Sequence, residues 1–275
     1  MPLADDASDT RPAPPLPALP NLRDAGGLPT RDGGRVRSGL LLRSGQLDRI
    51  EGDTVAAFAA LGVRTVVDLR TDAERAAGAD RVPEGTRQIV ANVLGDHASA
   101  VPARLPRLIR EVERVEQAVR DGVVQELFER TYRNFVTLPS AREAYATLYR
   151  AIADAADDEL PLLFHCTAGK DRTGWAAAAL LLLLDVPASA VLADFMLSDE
   201  LAFAGFRPLV DRFAASGGDP DLLHPILGVD PSYLAAGLDE LERRHGDAAG
   251  WFADGLGLGE DVQARLRARL VERAA

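Results

Sequence analysis

The apolar positions of the chain alternate between short β-branched or aliphatic runs and longer segments with helical spacing. Three short runs, whose length and flanking turns predict strands, are residues 40–42, 63–69 and 160–164. Segments whose apolar residues recur every three or four positions, which predicts helices, are residues 53–61, 105–120, 140–152, 188–204, 208–215, 231–245 and 260–273. The chain therefore combines strands and helices rather than using one of them alone.

Local signals predict where some of these helices begin and end. Asp53 is predicted to cap the first helix, and Gly62 is placed to end it. Ser140 and Glu143 have the spacing of a capping box, which predicts a helix start at Ser140. The strand 160–164 leads through a glycine-containing loop into an Ala/Leu-rich helix over residues 173–184. Strand, loop and helix in this order form a frame for anion binding.

The start of the chain and its net charge limit the possible functions. Five prolines between Pro12 and Pro20 predict a flexible tail over residues 1–20, followed by a single domain over residues 21–275. The start lacks the basic and apolar segments of a secretory signal, so a cytoplasmic location is the default, with secretion by another route left open. The net charge of −11 argues against nucleic acid and anionic membranes as partners.

The longest apolar stretch is also informative. Residues 176–184 and their flanks are too short to cross a bilayer, which takes about 20 apolar residues, so we expect a buried helix and no stable membrane insertion.

The chain has one cysteine and one lysine, and they lie four residues apart. Cys166 excludes an internal disulfide framework, so its thiol is either a buried apolar group or a reagent. Lys170 is the only lysine among 31 basic residues. Their proximity points to the segment between them as the chemical centre.

The loop from His165 to Gly174 reads HCTAGKDRTG, and its residue types suit phosphate-ester cleavage. A thiol nucleophile must be ionised near neutral pH, whereas free cysteine has a pKa of about 8.5. Backbone N–H groups turned inward at a helix N-terminus favour both a thiolate and a phosphate. Gly169 permits the tight backbone, and Arg172, six residues after Cys166, can grip two phosphate oxygens with its planar guanidinium.

Two residues of the loop are assigned supporting roles. Thr173 is predicted to donate its hydroxyl to the sulfur of Cys166, and His165 to orient the loop through backbone contacts. The loop residues predicted to bind substrate phosphate are Thr167, Ala168, Gly169, Lys170, Thr173 and Gly174.

Three other interpretations of Cys166 are weaker. A buried structural cysteine would not explain the Cys-x5-Arg spacing, the internal glycine and the following Thr-Gly together. A rhodanese-like sulfurtransferase typically has a loop one residue shorter, without this Arg-Thr-Gly ending. A phosphate-binding module without catalysis would have no need for a nucleophile facing Arg172.

With these motifs the chain resembles the cysteine-dependent protein tyrosine phosphatases, in particular their bacterial branch. The segments that carry the resemblance are residues 21–27, 42–45, 67–70, 165–174 and 226–229. The resemblance implies an α/β fold, with a mostly parallel central sheet flanked by helices and the Cys-x5-Arg loop between a strand and a helix. It also implies that no metal or cofactor is needed, and that the helical C-terminal part, about residues 195–235, forms a lid over the site.

The resemblance further implies hydrolysis of phosphotyrosine, often with phosphoserine, phosphothreonine and phosphoinositides as well, through a phosphocysteine. Lys170 and Asp171 are typical of the bacterial branch, and a loop lysine is also like that of phosphoinositide phosphatases. A phosphorylated protein and a phosphoinositide therefore both remain candidate substrates.

The general acid that protonates the leaving oxygen is left open between carboxylates. Asp171 comes first, because the branch resembled is thought to use this position. Asp68 comes second, since it ends a predicted central strand, although it could equally anchor Arg172 or a loop amide. Asp96 is a third candidate.

Several other polar residues are assigned more weakly. Three residues near the start of the domain are predicted to brace the phosphate loop: Asn21, Arg23 and Asp24. For Asp24 the alternative is a turn with Gly26 and Gly27. The histidines without ligand spacing, for which surface positions are favoured over a metal site, are His97, His224 and His245.

Overall fold

The computed structural model describes residues 19–96 and 112–273. The strands in chain order are β1 Arg23–Asp24, β2 Arg35–Val36, β3 Leu41–Ser44, β4 Thr65–Asp68, β5 Arg87–Val90, β6 Leu162–His165 and β7 Val271–Glu272. The helices are α1 Asp53–Ala60, α2 Asp72–Ala77, α3 Val112–Arg120, α4 Val123–Thr137, α5 Pro139–Ala153, α6 Arg172–Leu183, α7 Ala188–Gly205, α8 Arg207–Ala215, α9 His224–Leu227, α10 Pro231–His245, α11 Ala248–Gly250 and α12 Glu260–Leu270. A π-helical turn, Trp251–Gly255, follows α11.

A five-stranded sheet with the order β1-β3-β6-β4-β5 forms the centre of the fold. Strands β3, β6, β4 and β5 are parallel, and the short β1 is antiparallel to β3 at one edge. This confirms the expected mostly parallel sheet. A second ladder pairs β2 with β7 antiparallel, which joins the segment before β3 to the strand that follows α12.

Alternate residues of the central strands enter different apolar clusters, because successive side chains of a strand point to opposite faces. Val66 and Leu163 pack with Phe58 of α1 on one face. Val67 and Phe164 join the larger cluster on the other face, which includes residues of α4, α5 and α6. The sheet is therefore covered by helices on both faces, as parallel sheets require.

The register of the parallel strands brings their carboxyl ends to one edge. Asp68 of β4 and Ser44 of β3 both lie opposite His165 of β6. Because the Cys166 loop follows His165 directly, the ends of three strands surround that loop. The predicted position of Asp68 at a strand end near the site is confirmed.

Several predicted helix boundaries differ from the observed ones. Helix α1 starts at Asp53, but Gly52 occupies the capping position and the Asp53 side chain does not cap the helix. Gly62 follows its last turn with φ +68°, as expected for a helix end. The predicted capping box at Ser140 is wrong, because α5 begins one residue earlier with Pro139. Proline suits this first position, since its missing N–H would have no helical partner.

The sequence pattern did not predict α4. Two predicted segments, the helix 105–120 and the tail 1–20, lie partly outside the described residues. Of the predicted helix 105–120, the described part is α3, Val112–Arg120. The residues assigned to the tail include Leu19, which is buried, and Pro20, whose carbonyl accepts a hydrogen bond from the amide of Gly45. The packed part of the chain thus already contains Leu19, while residues 1–18 lie outside the described residues.

The four predicted C-terminal helices are confirmed as α7, α8, α10 and α12, the last of which ends at Leu270, before β7. Among the described residues, no helix combines the length and the apolar composition that a membrane span requires.

Candidate active site

The loop after β6 turns its carbonyl groups outward, toward other parts of the protein. Asn21 Nδ2 donates to the carbonyl of Gly169 at 2.7 Å, and Arg43 Nη2 donates to the same oxygen at 2.9 Å. The carbonyl of Thr167 accepts from the amide of Gln46 at 3.1 Å. Because the peptide unit is planar and trans, an outward C=O directs the following N–H the opposite way.

The backbone N–H groups of the loop are correspondingly directed to its inside. None of the described residues accepts a hydrogen bond from the amides of residues 167–171. Buried or half-buried amides normally find a partner, so a row of open donors at the start of α6 is an anion cradle. Cys166 lies at the beginning of this row and is 2% exposed.

Gly169 is required by the loop geometry. Its φ is +70°, which disfavours residues with a side chain, and an added Cβ would lie 2.4 Å from the carbonyl oxygen of Ser44. The prediction that Gly169 permits the tight backbone is therefore confirmed.

Arg172 forms a two-pronged ion pair with Glu74 of α2. Its Nη1 and Nη2 lie 2.8 and 2.7 Å from the two carboxylate oxygens, and both side chains are buried. Arg172 Nε makes no hydrogen bond to the described residues, so this edge of the guanidinium remains for a ligand. Burial alone would lower the pKa of Arg172, but the charges of Cys166 and Glu74 raise it.

Glu74 is a functional residue that the sequence reasoning missed. It also accepts hydrogen bonds from the hydroxyls of Thr71 and Thr167 and from the amide of Thr71. Burial by itself raises the pKa of Glu74, but the hydrogen bonds and charge of Arg172 outweigh it and hold the pKa at about 2. Glu74 therefore stays ionised and fixes the direction of Arg172.

Asp171 lies at the mouth of the loop, where Tyr132 and Lys170 contact it. The Tyr132 hydroxyl donates to Asp171 at 3.1 Å, and Lys170 Nζ lies 3.1 Å from its carboxylate. Burial, followed by the charge of Asp171, raises the pKa of Tyr132 well above its ordinary value, so this hydroxyl stays protonated. Asp171 keeps 16% of its side chain exposed.

The ammonium group of Lys170 contacts three protein groups, and its predicted contact with substrate stays a prediction. Its Nζ donates to the carbonyl of Gly228 at 2.8 Å and lies 4.6 Å from the ring centre of Phe128, and its side chain is 5% exposed. Together with the carboxylate of Asp171, these groups surround the ammonium group of Lys170. These partners are the carboxylate of the neighbouring Asp171, the Gly228 carbonyl before α10 and the aromatic face of Phe128 in α4.

Asp68 belongs to a buried network beneath the loop. Both of its oxygens accept hydrogen bonds from Arg70, at 2.8 to 3.1 Å, and Arg70 also donates to Asp80 at 2.8 Å. His165 connects Asp80, 3.1 Å from its Nε2, to the carbonyl of Cys166, 3.3 Å from its Nδ1. Asp68 therefore anchors Arg70 rather than Arg172, and the predicted backbone contact of His165 is confirmed.

The same network contains the carboxylate and imidazole groups closest to a metal-ligand arrangement. Oxygen and nitrogen atoms of Asp68, Asp80 and His165 lie within 4.8 Å of one another. Arg70 already supplies the positive charge between the two carboxylates, so these residues do not fit a cation. Although burial opposes it, hydrogen bonding to His165 lowers the pKa of Asp80.

Of the three residues predicted to brace the loop, two contact its supporting network. Asn21 bonds the loop directly, as described above, and Arg23 bonds Asp194 of α7 at 3.2 Å and Ser198 at 2.9 Å. Asp24 instead accepts from the amides of Gly26 and Gly39, which is the turn role considered as its alternative.

Two further predictions meet contrary observations. The hydroxyl of Thr173 is buried and has no hydrogen-bond partner among the described residues, so it does not bond the sulfur of Cys166. Thr173 and the neighbouring Gly174 are also buried in the first turn of α6, where an added Cβ on Gly174 would lie 3.2 Å from Phe195. Asp96 accepts from the amide of Ser140 and supports the start of α5 instead of facing the loop.

A cavity of about 80 Å³ opens beside the exposed part of the loop. It is lined by Pro20, Gln46, Asp48, Arg49, Thr167, Ala168, Ala202, Gly205 and Phe206. The end of α7 and the start of the following turn thus form one wall of this cavity. Of the predicted histidines, His224 stacks on Phe203 and His245 ends α10, while His97 lies outside the described residues.

A nucleophile at the start of an amide cradle, between a parallel strand and a helix and beside a fixed arginine, defines a cysteine-dependent phosphatase. Comparison with known proteins agrees. The model of the tyrosine phosphatase family matches residues 14–272, and the chain belongs to this family.

Similar individual proteins carry related names. The chain is 32% identical over 238 residues to a putative tyrosine-protein phosphatase of Cupriavidus necator, covering 86% of this chain and 82% of the relative. It is 27% identical over 281 residues to the triple specificity protein phosphatase PtpB of Mycobacterium tuberculosis, covering 93% and 98%. The crystal structure of TpbA of P. aeruginosa, 19% identical, covers 70% of this chain and 88% of that one, with a TM-score of 0.29.

Proposed function

We propose that the enzyme hydrolyses phosphate monoesters by covalent catalysis on Cys166. The thiolate attacks phosphorus, the bond to the ester oxygen breaks, and the phosphoryl group is held as a phosphocysteine until water displaces it. The observation that carries this proposal is the inward row of open amides after Cys166, which suits the oxygens of a transferring phosphoryl group. Arg172, fixed by Glu74, adds a positive charge on the same side.

Asp171 is the general acid in this proposal. It lies within the loop, is partly exposed, and is oriented by Tyr132 and Lys170. Asp68 is less suited, because Arg70 donates hydrogen bonds to both of its oxygens. A carboxylate fixed in this way has no geometry for delivering a proton to the leaving oxygen.

Phosphotyrosine is the proposed main substrate, with phosphoserine and phosphothreonine as further candidates. The family match and the names of both relatives support the first, and the triple specificity of the mycobacterial relative supports the breadth. A phosphoinositide is the alternative substrate, which the breadth of the resembled family and its loop lysine suggest. Lys170 adds little support for it, because its ammonium group is bound to the carbonyl of Gly228.

The first experiment measures phosphate release from para-nitrophenyl phosphate by the wild type, Cys166→Ser and Arg172→Lys. Turnover by the wild type and its loss in Cys166→Ser are expected, and Arg172→Lys should lose most of its activity although it keeps the charge. Absence of wild-type turnover together with phosphate binding would instead show a binding module. A panel of phosphotyrosine, phosphoserine and phosphothreonine peptides and a phosphoinositide then defines the substrate class.

A further inference from the structure

The charges around Cys166 are not evenly compensated. Arg172 shares its charge with Glu74, Lys170 with Asp171, and Arg70 with two carboxylates. Among the described residues, the titratable groups around the loop are Arg23, Arg43, Asp48, Arg49, Asp68, Arg70, Glu74, Asp80, Tyr132, Tyr145, His165, Lys170, Asp171, Arg172 and Asp194. Among these, Arg23 and Arg43 differ from the other cations because they share one carboxylate.

Asp194 is that shared carboxylate, and it lies between the two guanidinium groups. Arg23 Nε is 3.2 Å from one of its oxygens, and Arg43 Nη1 is 3.0 Å from the other. All three side chains are almost completely buried, Arg43 at 0% exposure. Two cations and one anion leave this cluster with an excess of one positive charge, whereas Arg70 with Asp68 and Asp80 forms a cluster with an excess of one negative charge.

Arg43 places this excess charge directly behind the catalytic loop. Its Nη2 donates to the carbonyl of Gly169 on one arm of the loop. The same nitrogen would lie 3.4 Å from a Cβ on Gly174, which is on the other arm. The guanidinium thus bonds the turn after Cys166 and lies close to the first turn of α6, and its Nε has no hydrogen-bond partner among the described residues.

Such an arrangement is costly for folding unless a negative charge nearby offsets it, because buried charges lose their hydration. Burial and the neighbouring Arg23 lower the pKa of Arg43 to about 9, while Asp194 and Cys166 act in the opposite direction. An anionic sulfur in the loop is a group that this excess charge would stabilise.

We infer that Arg43 is a positioning residue whose buried positive charge, next to that of Arg23, keeps Cys166 in its thiolate form. Its importance for turnover rests on the proposed function of Cys166. The inference itself concerns only the ionisation of the thiol, and it can be measured without any substrate.

The test uses the full chain, in which Cys166 is the only cysteine, so that thiol signals have one source. The midpoint pH of thiolate formation is followed by ultraviolet absorbance and by the rate of alkylation with iodoacetamide. Arg43→Met should raise this midpoint by about one pH unit, since a unit charge at about 10 Å and an effective dielectric constant of about 20 has an effect of this size. Arg43→Lys, which keeps the charge, should restore most of the difference.

Ser198→Ala is the matched control. Ser198 receives hydrogen bonds from Arg23 and Arg43, so its loss disturbs the same cluster without changing its charge. The midpoint of this variant should stay at the wild-type value, and a rise equal to that of Arg43→Met would show a purely structural effect. Arg23→Met removes one positive charge from the same cluster, so it should also raise the midpoint pH of thiolate formation. This variant replaces Arg43→Met in the test if Arg43→Met does not fold.

The outcomes separate this inference from the proposed function. An unchanged midpoint in a folded Arg43→Met or Arg23→Met protein would overturn the inference, whatever the activity. If the midpoint pH of thiolate formation rises in Arg43→Met but the wild-type protein shows no phosphatase turnover, the proposed function is overturned and the role of Arg43 stands.

Discussion

Replacing Glu74 by glutamine should weaken both the fold and the catalytic site, since this carboxylate fixes Arg172. Its ordinary pKa of 4.5 falls to about 2 in the folded protein. The difference corresponds to about 3 kcal/mol of stability, at about 1.4 kcal/mol for each pH unit. This agrees with the cost of about 3 to 5 kcal/mol for removing one partner of a buried ion pair.

The sign of the pH dependence follows from the lowered pKa. A carboxylate with a lower pKa in the folded state contributes its full stability above pH 4.5 and loses it as the pH falls toward 2. About 2 kcal/mol of the contribution of Glu74 should be gone by pH 3. Glu74→Gln cannot be protonated at this position, so this part of the acid sensitivity should disappear.

Urea unfolding at pH 7 and in steps down to pH 3 measures these changes, with the fluorescence of the buried Trp175 and Trp251 as the signal. Asp72→Asn is the control, because Asp72 is an exposed carboxylate in the first turn of the same helix. It should cost at most about 1 kcal/mol.

The effect on catalysis is measured on the same proteins. Without Glu74, Arg172 loses its fixed direction, and kcat/KM should fall by about 10- to 100-fold. The reasoning would be refuted if Glu74→Gln matched Asp72→Asn in stability at pH 7 and kept the wild-type kcat/KM.

Three further predictions concern the mouth of the site. Asp171→Asn should slow a substrate with a poor leaving group by about 100-fold and remove the protonated-acid limb of its pH–rate profile, whereas Asp68→Asn should retain that limb; the reverse result would exchange their roles. Lys170→Met should lower kcat for the same substrate more than for para-nitrophenyl phosphate, because it releases Asp171 and the Gly228 carbonyl; equal losses would argue against an orienting role. Hydrogen exchange over residues 195–235 should slow when vanadate binds, and unchanged exchange would contradict a lid.

The loop could be predicted from the sequence because all its requirements are local. Cys166, Gly169 and Arg172 have fixed spacing within one turn, and the strand before and the helix after them are strongly apolar. The same holds for Asp68, since the end of a parallel strand has a defined place beside the next strand.

The partners of the loop could not be predicted in the same way, because they come from distant parts of the chain. Glu74 shows a local signal, the Thr71-x-x-Glu74 capping box, but its pairing with Arg172 spans 98 positions. Helix α4 was missed although Phe128, Tyr132 and Val136 recur every four residues, and two of these side chains orient Lys170 and Asp171. The direction of a long lysine side chain depends on such non-local partners, and sequence spacing does not determine it.

The contacts of Pro20 and Asn21 have a practical consequence for anyone who shortens the chain. Pro20 lines the cavity, and its carbonyl accepts a hydrogen bond from the amide of Gly45. The side-chain amide of Asn21 donates a hydrogen bond to the carbonyl of Gly169. A deletion designed only to remove the proline-rich start would, if cut two or three residues too far, loosen the catalytic turn itself. A truncated version for crystallisation should therefore begin no later than residue 18.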